Sequence, residues 1–258
     1  MRRGFGVAAG LDPQVAEPLA ARCQELGYES LWSNDHPGAL GVDTLATFSA
    51  AAPGLDLGVA VMALDRHSPE QVAAHIERTG IERERLWLGV GAGFSKQPLT
   101  AIREAEPRLR ETLPGVRLVL AAMGPRMCAF AGARFDGVFF NWMTPAFAES
   151  AREHVAAGAR EAGRETPPVL GYVRAAVGPG ASERLAKEEA FYRDLHDGYR
   201  KHFDRLGEAE GTVGIAVADR EAALAELARY GALDVIVVRG LASASADAMG
   251  ALAAATAP

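Results

Sequence analysis

The sequence is poor in cysteine, and it lacks any long uninterrupted hydrophobic stretch. Its two cysteines, Cys23 and Cys128, form no C-x-x-C pair, so we expect free buried thiols in a reducing compartment and no disulfide framework. Gly, Pro or Arg interrupts each apolar run before it reaches the length of a membrane span. Arg2 and Arg3 precede no apolar signal core. We therefore expect a cytoplasmic protein with no membrane partner.

Several motifs that define common function classes are also missing. The net charge of -6 argues against nucleic acid as a partner, because a nucleic-acid-binding face is usually basic. No set of His, Cys, Asp or Glu has metal-ligand spacing, so no metal site is predicted. There is no G-x-S-x-G elbow, no Walker loop, and no G-x-G-x-x-G turn after the first strand.

What the sequence does contain is a regular alternation of short apolar runs and helical segments. The apolar runs show no polar alternation, which is typical of parallel strands covered on both faces. Eight such runs alternate with helices at the spacing of βα units, and 258 residues suffice for an α/β barrel. The predicted strands are 3–9, 29–32, 57–64, 85–90, 116–123, 136–142, 168–177 and 234–238.

The predicted fold is accordingly α/β, a (β/α)8 TIM barrel forming one domain over residues 1–258. A doubly wound open sheet is the alternative. The sequence predicts one element in addition to those of a (β/α)8 barrel, a charged helix over 183–207 after the seventh strand. Its Phe191, Leu195, Tyr199 and Phe203 recur at i, i+4, which predicts one apolar stripe that packs on the barrel or on a second subunit.

Loops at the carboxyl ends of barrel strands carry function in this fold. Asp35 and His36 follow the second predicted strand, and the intrinsic pKa of histidine makes His36 the leading acid/base candidate. A helix-capping Asp beside a surface His is the structural alternative. His67, after the third strand, reads equally as part of a solvated loop.

The stretch around the fifth strand ends in a turn suited to an anion. Gly124 and Pro125 open a helix whose free backbone N–H groups point outward, and Arg126 adds a positive charge. An ordinary strand-to-helix turn is the alternative. Trp142, at the end of the next strand, could stack on a ring or simply pack.

Taken in order along the chain, these segments resemble the bacterial-luciferase-like flavin and deazaflavin oxidoreductases, in particular the branch that uses the deazaflavin coenzyme F420. The resemblance rests on ELGYESLWSNDHP at 25–37, LGVAVMALDRHSP at 57–69, RLWLGVGAG at 85–93, and AAMGPRMCAFAG with DGVFFNWMTP across 121–145. It covers nearly the whole chain.

The resemblance implies a (β/α)8 barrel that holds coenzyme F420, or alternatively FMN, at its mouth. It implies His36 as acid/base and Asp35 as a further catalytic or cofactor contact. The family often has a non-prolyl cis peptide in the third strand, here at Ala60-Val61. The implied cofactor-binding residues are Asp35, Ala60, Val61, Gly91, Ala92, Gly93, Ala122, Met123, Gly124, Pro125, Arg126, Asn141 and Trp142.

Two departures bear on the substrate. Sugar-phosphate-oxidising relatives carry a glutamate just after the fourth-strand glycine turn, where this chain has Phe94. The chain is also shorter than typical members between the fourth and fifth strands.

The first functional hypothesis is hydride transfer between deazaflavin and a small organic substrate. The alternatives are an FMN-dependent monooxygenase and a cofactor-binding barrel without catalysis. The expected partners are a small-molecule substrate, a separate enzyme that reduces the cofactor, and a second copy of the chain in a homodimer.

Overall fold

The structure, a computed structural model, describes residues 2–258. Its strands are β1 Arg2–Val7, β2 Ser30–Ser33, β3 Asp56–Ala63, β4 Leu86–Gly91, β5 Arg117–Ala121, β6 Gly137–Asn141, β7 Val169–Val177, β8 Ile215–Val217 and β9 Val235–Gly240. Its helices are α1 Pro13–Glu25, α2 Gly41–Ala51, α3 Pro69–Thr79, α4 Pro98–Thr112, α5 Pro125–Arg134, α6 Pro145–Glu161, α7 Ala181–Leu195, α8 Asp197–Leu206, α9 Arg220–Ala228 and α10 Ala246–Thr256.

Eight of these strands close into a parallel barrel. The sheet order is β6-β5-β4-β3-β2-β1-β9-β7-β8, and pairing of β6 with β7 closes the ring. The strand β8 lies outside the ring, beside the carboxyl end of β7, where Ala175 pairs with Ile215. The predicted (β/α)8 barrel is confirmed, and all eight predicted strands lie within two residues of their expected ends. The strand β8 was not predicted because three residues give too little pattern.

The barrel holds two apolar layers. Side chains that point inward fill its interior, and a larger cluster lies between the strands and the surrounding helices. Alternate residues of each strand serve the two layers, which is why the strands read as continuous apolar runs. The interior cluster consists of Trp32, Ala60, Trp87, Val119, Phe139, Leu170, Tyr172, Val235 and Val237.

Polar contacts lie at the amino end of the interior. The Asp56 carboxylate accepts hydrogen bonds from Trp87 Nε1 at 3.0 Å and from Arg117 Nη1 at 2.9 Å. The Arg117 guanidinium also lies 4.1 Å from the centre of the Trp87 ring. These contacts cover part of the amino end of the interior, and in this fold ligands bind at the opposite, carboxyl end.

The charged segment after β7 differs from its prediction. Two helices, α7 and α8, replace the single helix expected over 183–207. His196 between them is extended (φ -165°, ψ 142°), and its Nδ1 accepts a hydrogen bond from Gly198 N at 2.9 Å, capping α8. The predicted single stripe is consequently wrong, because Phe191 is 61% exposed whereas Phe203 is 1% exposed. No helix within residues 2–258 is long and apolar enough to cross a membrane.

Candidate functional site

The predicted functional loops converge at the carboxyl end of the barrel, because parallel strands all end there. The residues around this mouth fall into two halves. Along β1, β3, β4 and β5 the inward positions near the end are small, whereas β6, β7 and β9 end in amide and guanidinium side chains. The small positions are Gly6, Ala60, Gly89, Gly91 and Ala121, and the polar positions are Asn141, Arg174 and Arg239.

The wall formed by β3 and β4 carries Gly89 and Gly91, and the side chain of Val61 covers both of them. The peptide bond between Ala60 and Val61 is cis, as the resemblance implied. The β3–β4 register shifts between Val59 and Met62. A Cβ atom on Gly89 would lie 2.4 Å from the Val59 carbonyl oxygen, so only glycine allows the two backbones to approach this closely.

The glycine turn after β4 is held by a carboxylate. Gly93 has φ +58°, and a Cβ there would lie 1.8 Å from Asp65 Oδ1. Asp65 Oδ2 accepts a hydrogen bond from the Phe94 backbone N–H at 2.9 Å. The Asp65 side chain thus fixes the turn through Ala92 and Gly93, with Gly91 as the last residue of β4.

The turn after β5 presents an open helix N-terminus. Ala122 is buried, Met123 and Gly124 are half-buried, and Pro125 is the first residue of α5. No side chain caps this helix, and a Cβ on Gly124 would have no heavy atom within 4 Å.

The free donors of this turn are suited to an anion. The first intrahelical bond of α5 runs from Cys128 N to Gly124 O, which leaves the N–H groups of Arg126 and Met127 without helical acceptors. The exposed Arg126 side chain makes no hydrogen bond or ion pair with the residues that the structure describes. Backbone donors, a guanidinium and open space together fit a phosphate group.

Asp35 is buried at the centre of a polar cluster. Its Oδ1 accepts a hydrogen bond from Gly41 N at 3.1 Å, at the first turn of α2. Its Oδ2 lies 2.6 Å from Arg66 Nη2 and 3.1 Å from His67 Nε2. The Asp35 side chain has no exposed surface, and its carboxylate links the first residue of α2 to the β3–α3 loop.

The two histidines of the mouth have different surroundings. His36 is half-buried in a tight turn, where its Nδ1 accepts a hydrogen bond from Gly38 N at 3.1 Å. Asp35, although adjacent in sequence, contacts the ring of His67 instead. His67 also packs edge-on against His75, with ring centroids 5.6 Å apart. The structure therefore pairs a carboxylate with His67 and leaves Nε2 of His36 without a hydrogen-bonding partner among residues 2–258.

The opposite side of the mouth centres on Arg174. Its guanidinium lies 4.0 Å from the centre of the Trp142 ring, and its Nη1 donates a hydrogen bond to Asn141 Oδ1. Trp142 is fully buried and has φ +50°, a left-handed conformation. His202 of α8 donates from Nε2 to the Trp142 carbonyl oxygen at 2.6 Å, which ties the extra helices to the end of β6. The face of Trp142 that was expected to meet a ring meets a guanidinium here.

The extra helices also reach the glycine turn. The Phe94 ring, 58% exposed, stacks on the His196 ring with centroids 4.5 Å apart and planes inclined by 24°. The joint between α7 and α8 therefore touches the β4–α4 loop across the mouth. Burial raises the pKa of Tyr199, in α8, to about 12, so this hydroxyl keeps its proton.

Sequence reasoning missed Arg174, Arg239 and His196 as members of the site. A signal for the two arginines was present, since each interrupts a continuous apolar strand run where a charge is costly. His196 carried no comparable signal, because it lies in a helical pattern that continues on both sides. No cluster of His, Cys, Asp or Glu in the described chain could hold a metal ion.

The family model described as luciferase-like monooxygenase matches residues 99–256 of this chain. A curated relative, the 5,10-methylenetetrahydromethanopterin reductase of Methanolobus tindarius, is 26% identical over 185 residues. That match covers 58% of this chain and 57% of the relative, so the chain spans less than two thirds of the relative's length.

Solved structures show the same fold. An F420-dependent secondary alcohol dehydrogenase in complex with an F420-acetone adduct superposes with a TM-score of 0.73 at 15% identity, covering 100% of this chain and 98% of that one. The coenzyme F420-dependent tetrahydromethanopterin reductase from Methanopyrus kandleri gives 0.74 at 18% identity, covering 98% and 97%.

Proposed function

Because the chain belongs to the luciferase-like monooxygenase family, we propose that it is a coenzyme F420-dependent oxidoreductase that transfers a hydride between the deazaflavin and a small organic substrate. When bound, the coenzyme supplies or accepts the hydride at its C5 carbon. Two of the solved structures that are similar to this chain are F420-dependent, and the curated relative is a reductase. These similarities support the proposal.

The observation that carries the proposal is the pairing of two features at one mouth. The uncapped start of α5 fits a phosphate, and the wall of small apolar residues on β3 and β4 fits a flat ring. We propose that Gly124, Pro125 and Arg126 hold the phosphate, with Ala122 and Met123 beside it. The ring would lie against Ala60, Val61 and the turn Gly91, Ala92 and Gly93, with Asn141 and Trp142 completing the mouth.

The acid/base role has two candidates. We propose His36, whose ring has a free nitrogen at the mouth, as the group that exchanges the substrate proton. His67 is the second candidate because Asp35 orients its ring. The variants His36→Gln and His67→Gln separate the two candidates. Replacing the catalytic histidine should lower kcat, while the affinity for the coenzyme stays within about twofold of the unaltered protein.

The test of the coenzyme site is a fluorescence titration of the purified protein with F420 and with FMN. We expect F420 to bind more tightly than FMN, and Arg126→Ala to weaken that binding by about tenfold, the value of one charge-assisted hydrogen bond. Arg164→Ala is the matched control, because this exposed arginine lies in the connection from α6 to β7, at the amino end of the barrel. Equal loss in both variants would contradict the phosphate assignment.

A second candidate is an FMN-dependent monooxygenase supplied by a separate flavin reductase, which the description of the family model favours. Preference for FMN in the same titration would select it. Binding of either cofactor without turnover would select a barrel that no longer catalyses.

The cellular setting follows from the same proposal. We propose that the protein works in the cytoplasm, as a homodimer, with another enzyme reducing its coenzyme. The buried free thiols of Cys23 and Cys128 support a reducing compartment. Sedimentation that shows a monomer at high micromolar concentration would contradict the homodimer.

A further inference from the structure

Two arginines stand side by side at the inner rim of the barrel. Arg174 of β7 and Arg239 of β9 are register partners on adjacent parallel strands. Tyr172 and Val237, two positions earlier on the same strands, belong to the interior cluster, so both arginines also point inward. Their exposed fractions are 2% and 8%.

Neither arginine has a carboxylate partner within residues 2–258. Arg174 donates to the Asn141 amide and lies against the rings of Trp142 and Tyr192, while its Nε has no acceptor. Arg239 makes one long hydrogen bond, from Nη1 to the Gly240 carbonyl oxygen at 3.4 Å. Burial and, to a smaller extent, the neighbouring Arg239 lower the pKa of Arg174.

The buried carboxylates of Glu106 and Glu189 are paired with arginines, whereas the buried Arg3 of β1 has no carboxylate partner among residues 2–258 and donates from Nη1 to the Thr256 carbonyl oxygen. Glu106 binds Arg110 and Arg134 at 2.7 Å and 2.8 Å, and Glu189 binds Arg193 at 2.8 Å. Leaving buried charges unpaired costs far more than leaving them in water. Arg174 and Arg239 differ from Arg3 in lying side by side at the mouth, where a bound ligand can supply the acceptors that the protein's own side chains do not.

Further donors surround the two guanidiniums. The hydroxyl of Tyr172 and the indole Nε1 of Trp142 are buried without any hydrogen-bonding partner in the structure. Burial raises the pKa of Tyr172, so its hydroxyl keeps its proton. Two of the unsatisfied groups, Arg174 Nε and Trp142 Nε1, can only donate, and an anion is the ligand that accepts from all of them.

We propose that Arg174 and Arg239 form an anion-binding subsite for a compact oxyanion, a carboxylate or a phosphate, carried by the substrate. The inference rests on the proposed function, because the proposed function places the coenzyme ring on β3 and β4 and the coenzyme phosphate at the start of α5. The strand β6 separates this subsite from α5, so one anionic group cannot occupy both. The substrate class is therefore a small organic acid or phosphate ester.

The experiment compares benzoate with benzamide, which has nearly the same shape and no charge, and adds inorganic phosphate as a second anion. Each probe is titrated into the coenzyme-saturated protein and into the protein alone, with melting temperature and fluorescence as readouts. We expect benzoate and phosphate to raise the melting temperature saturably and benzamide to have no effect. Equal responses to benzoate and benzamide would overturn the proposal.

Variants assign the effect to residues. Arg239→Met should weaken benzoate binding by about tenfold or more, and Arg239→Lys should retain part of it. Arg164→Met, at the amino end of the barrel, should behave as the unaltered protein. Arg174→Met repeats the test in the second arginine, and the melting curve without probe shows whether each variant folds.

The outcomes of these titrations show whether the two arginines bind an anion of the substrate or of the coenzyme. Unchanged benzoate affinity in both Arg239→Met and Arg174→Met would overturn the subsite. Loss of coenzyme affinity in these variants with benzoate binding retained would assign the arginines to the coenzyme and overturn the substrate assignment. If neither F420 nor FMN binds, the proposed function fails, while the titration of the protein alone still decides the subsite.

Discussion

At the scale of single residues, Asp35 shows how a residue chosen for chemistry can also be structural. Its carboxylate accepts from Gly41, Arg66 and His67 and has no exposed surface. The cofactor contact implied by the resemblance remains a prediction. It requires an oxygen of Asp35 that already serves one of these donors.

Asp35→Asn separates the two roles. The amide would face two donors, so we expect the free energy of unfolding to fall by about 1–3 kcal/mol. The matched control is Asp43→Asn, since the Asp43–Arg78 pair is more than half exposed on both sides and such pairs contribute about 1 kcal/mol or less. Urea unfolding measures both values. A variant with unchanged stability and lost coenzyme affinity would contradict the structural role and support direct contact.

Some features of single residues could be predicted from the sequence and others could not. The cis bond at Ala60-Val61 and the open turn at Gly124 were expected, the first from the resemblance and the second from the Gly-Pro-Arg pattern. The contact between Asp35 and His67 was not, because the two residues are separated by the whole of α2 and β3. Pairings of that kind depend on the register of neighbouring strands, which a single sequence does not display.

At the scale of elements, one buried histidine connects the helix α8 to the end of β6. His202 has no exposed surface, donates to the Trp142 carbonyl and packs edge-on against Phe147. Its Nδ1 lies 3.3 Å from Arg205 Nη2 and is placed to accept. Burial, with a smaller effect of Arg205, lowers the pKa of His202 below its ordinary value.

This lowered pKa predicts an acid-sensitive fold. Between the folded pKa and the unfolded value of about 6.5, the unfolded chain binds more protons than the folded one. The free energy of unfolding should therefore be highest above about pH 7 and should decrease as the pH falls through that window. Burial also lowers the pKa of His75, which contributes with the same sign.

His202→Gln isolates the contribution of α8. The glutamine amide can still donate to the Trp142 carbonyl but takes up no proton, so the pH dependence should flatten. His154→Gln, at an exposed position of α6, should keep it. Thermal unfolding measured from pH 5 to pH 8 compares the two variants. An unaltered slope in His202→Gln would exclude this histidine as the cause.

The charged segment after β7, predicted as one helix over 183–207, was partly mispredicted because of a contact between elements. Apolar residues at i, i+4 continue across His196 in the sequence, so the pattern favours one long helix. In the structure His196 caps α8 and stacks on Phe94, a residue from a distant loop. A tertiary contact thus overrides the local pattern.

At the scale of the whole molecule, the two ends of the described chain are joined. The Tyr28 hydroxyl lies 2.8 Å from the Ala253 carbonyl and 2.9 Å from Thr256 Oγ1. Arg3 Nη1 donates to the Thr256 carbonyl at 2.7 Å. These bonds fasten α10 to the part of the barrel that holds β1 and β2.

Tyr28→Phe tests this fastening. Removing the hydroxyl takes away the donor to the Ala253 carbonyl, while the Thr256 hydroxyl still donates to the Leu252 carbonyl, so the free energy of unfolding should fall by about 1–2 kcal/mol. Tyr192→Phe serves as the control, since the structure shows no hydrogen bond from that hydroxyl to any residue it describes. Guanidinium unfolding at neutral pH gives both values. A smaller loss in Tyr28→Phe than in the control would show that the fastening contributes nothing.

The closure of the barrel has a consequence for synthesis of the chain. The strand β9 pairs with β1 on one side and with β7 on the other. On the ribosome, every other barrel strand emerges before it, and the growing sheet exposes two unsatisfied edges throughout that time. Such edges recruit other strands and favour aggregation. The nascent protein is therefore most prone to aggregate in the interval before β9 emerges, and rare codons placed shortly before β9 would lengthen that interval.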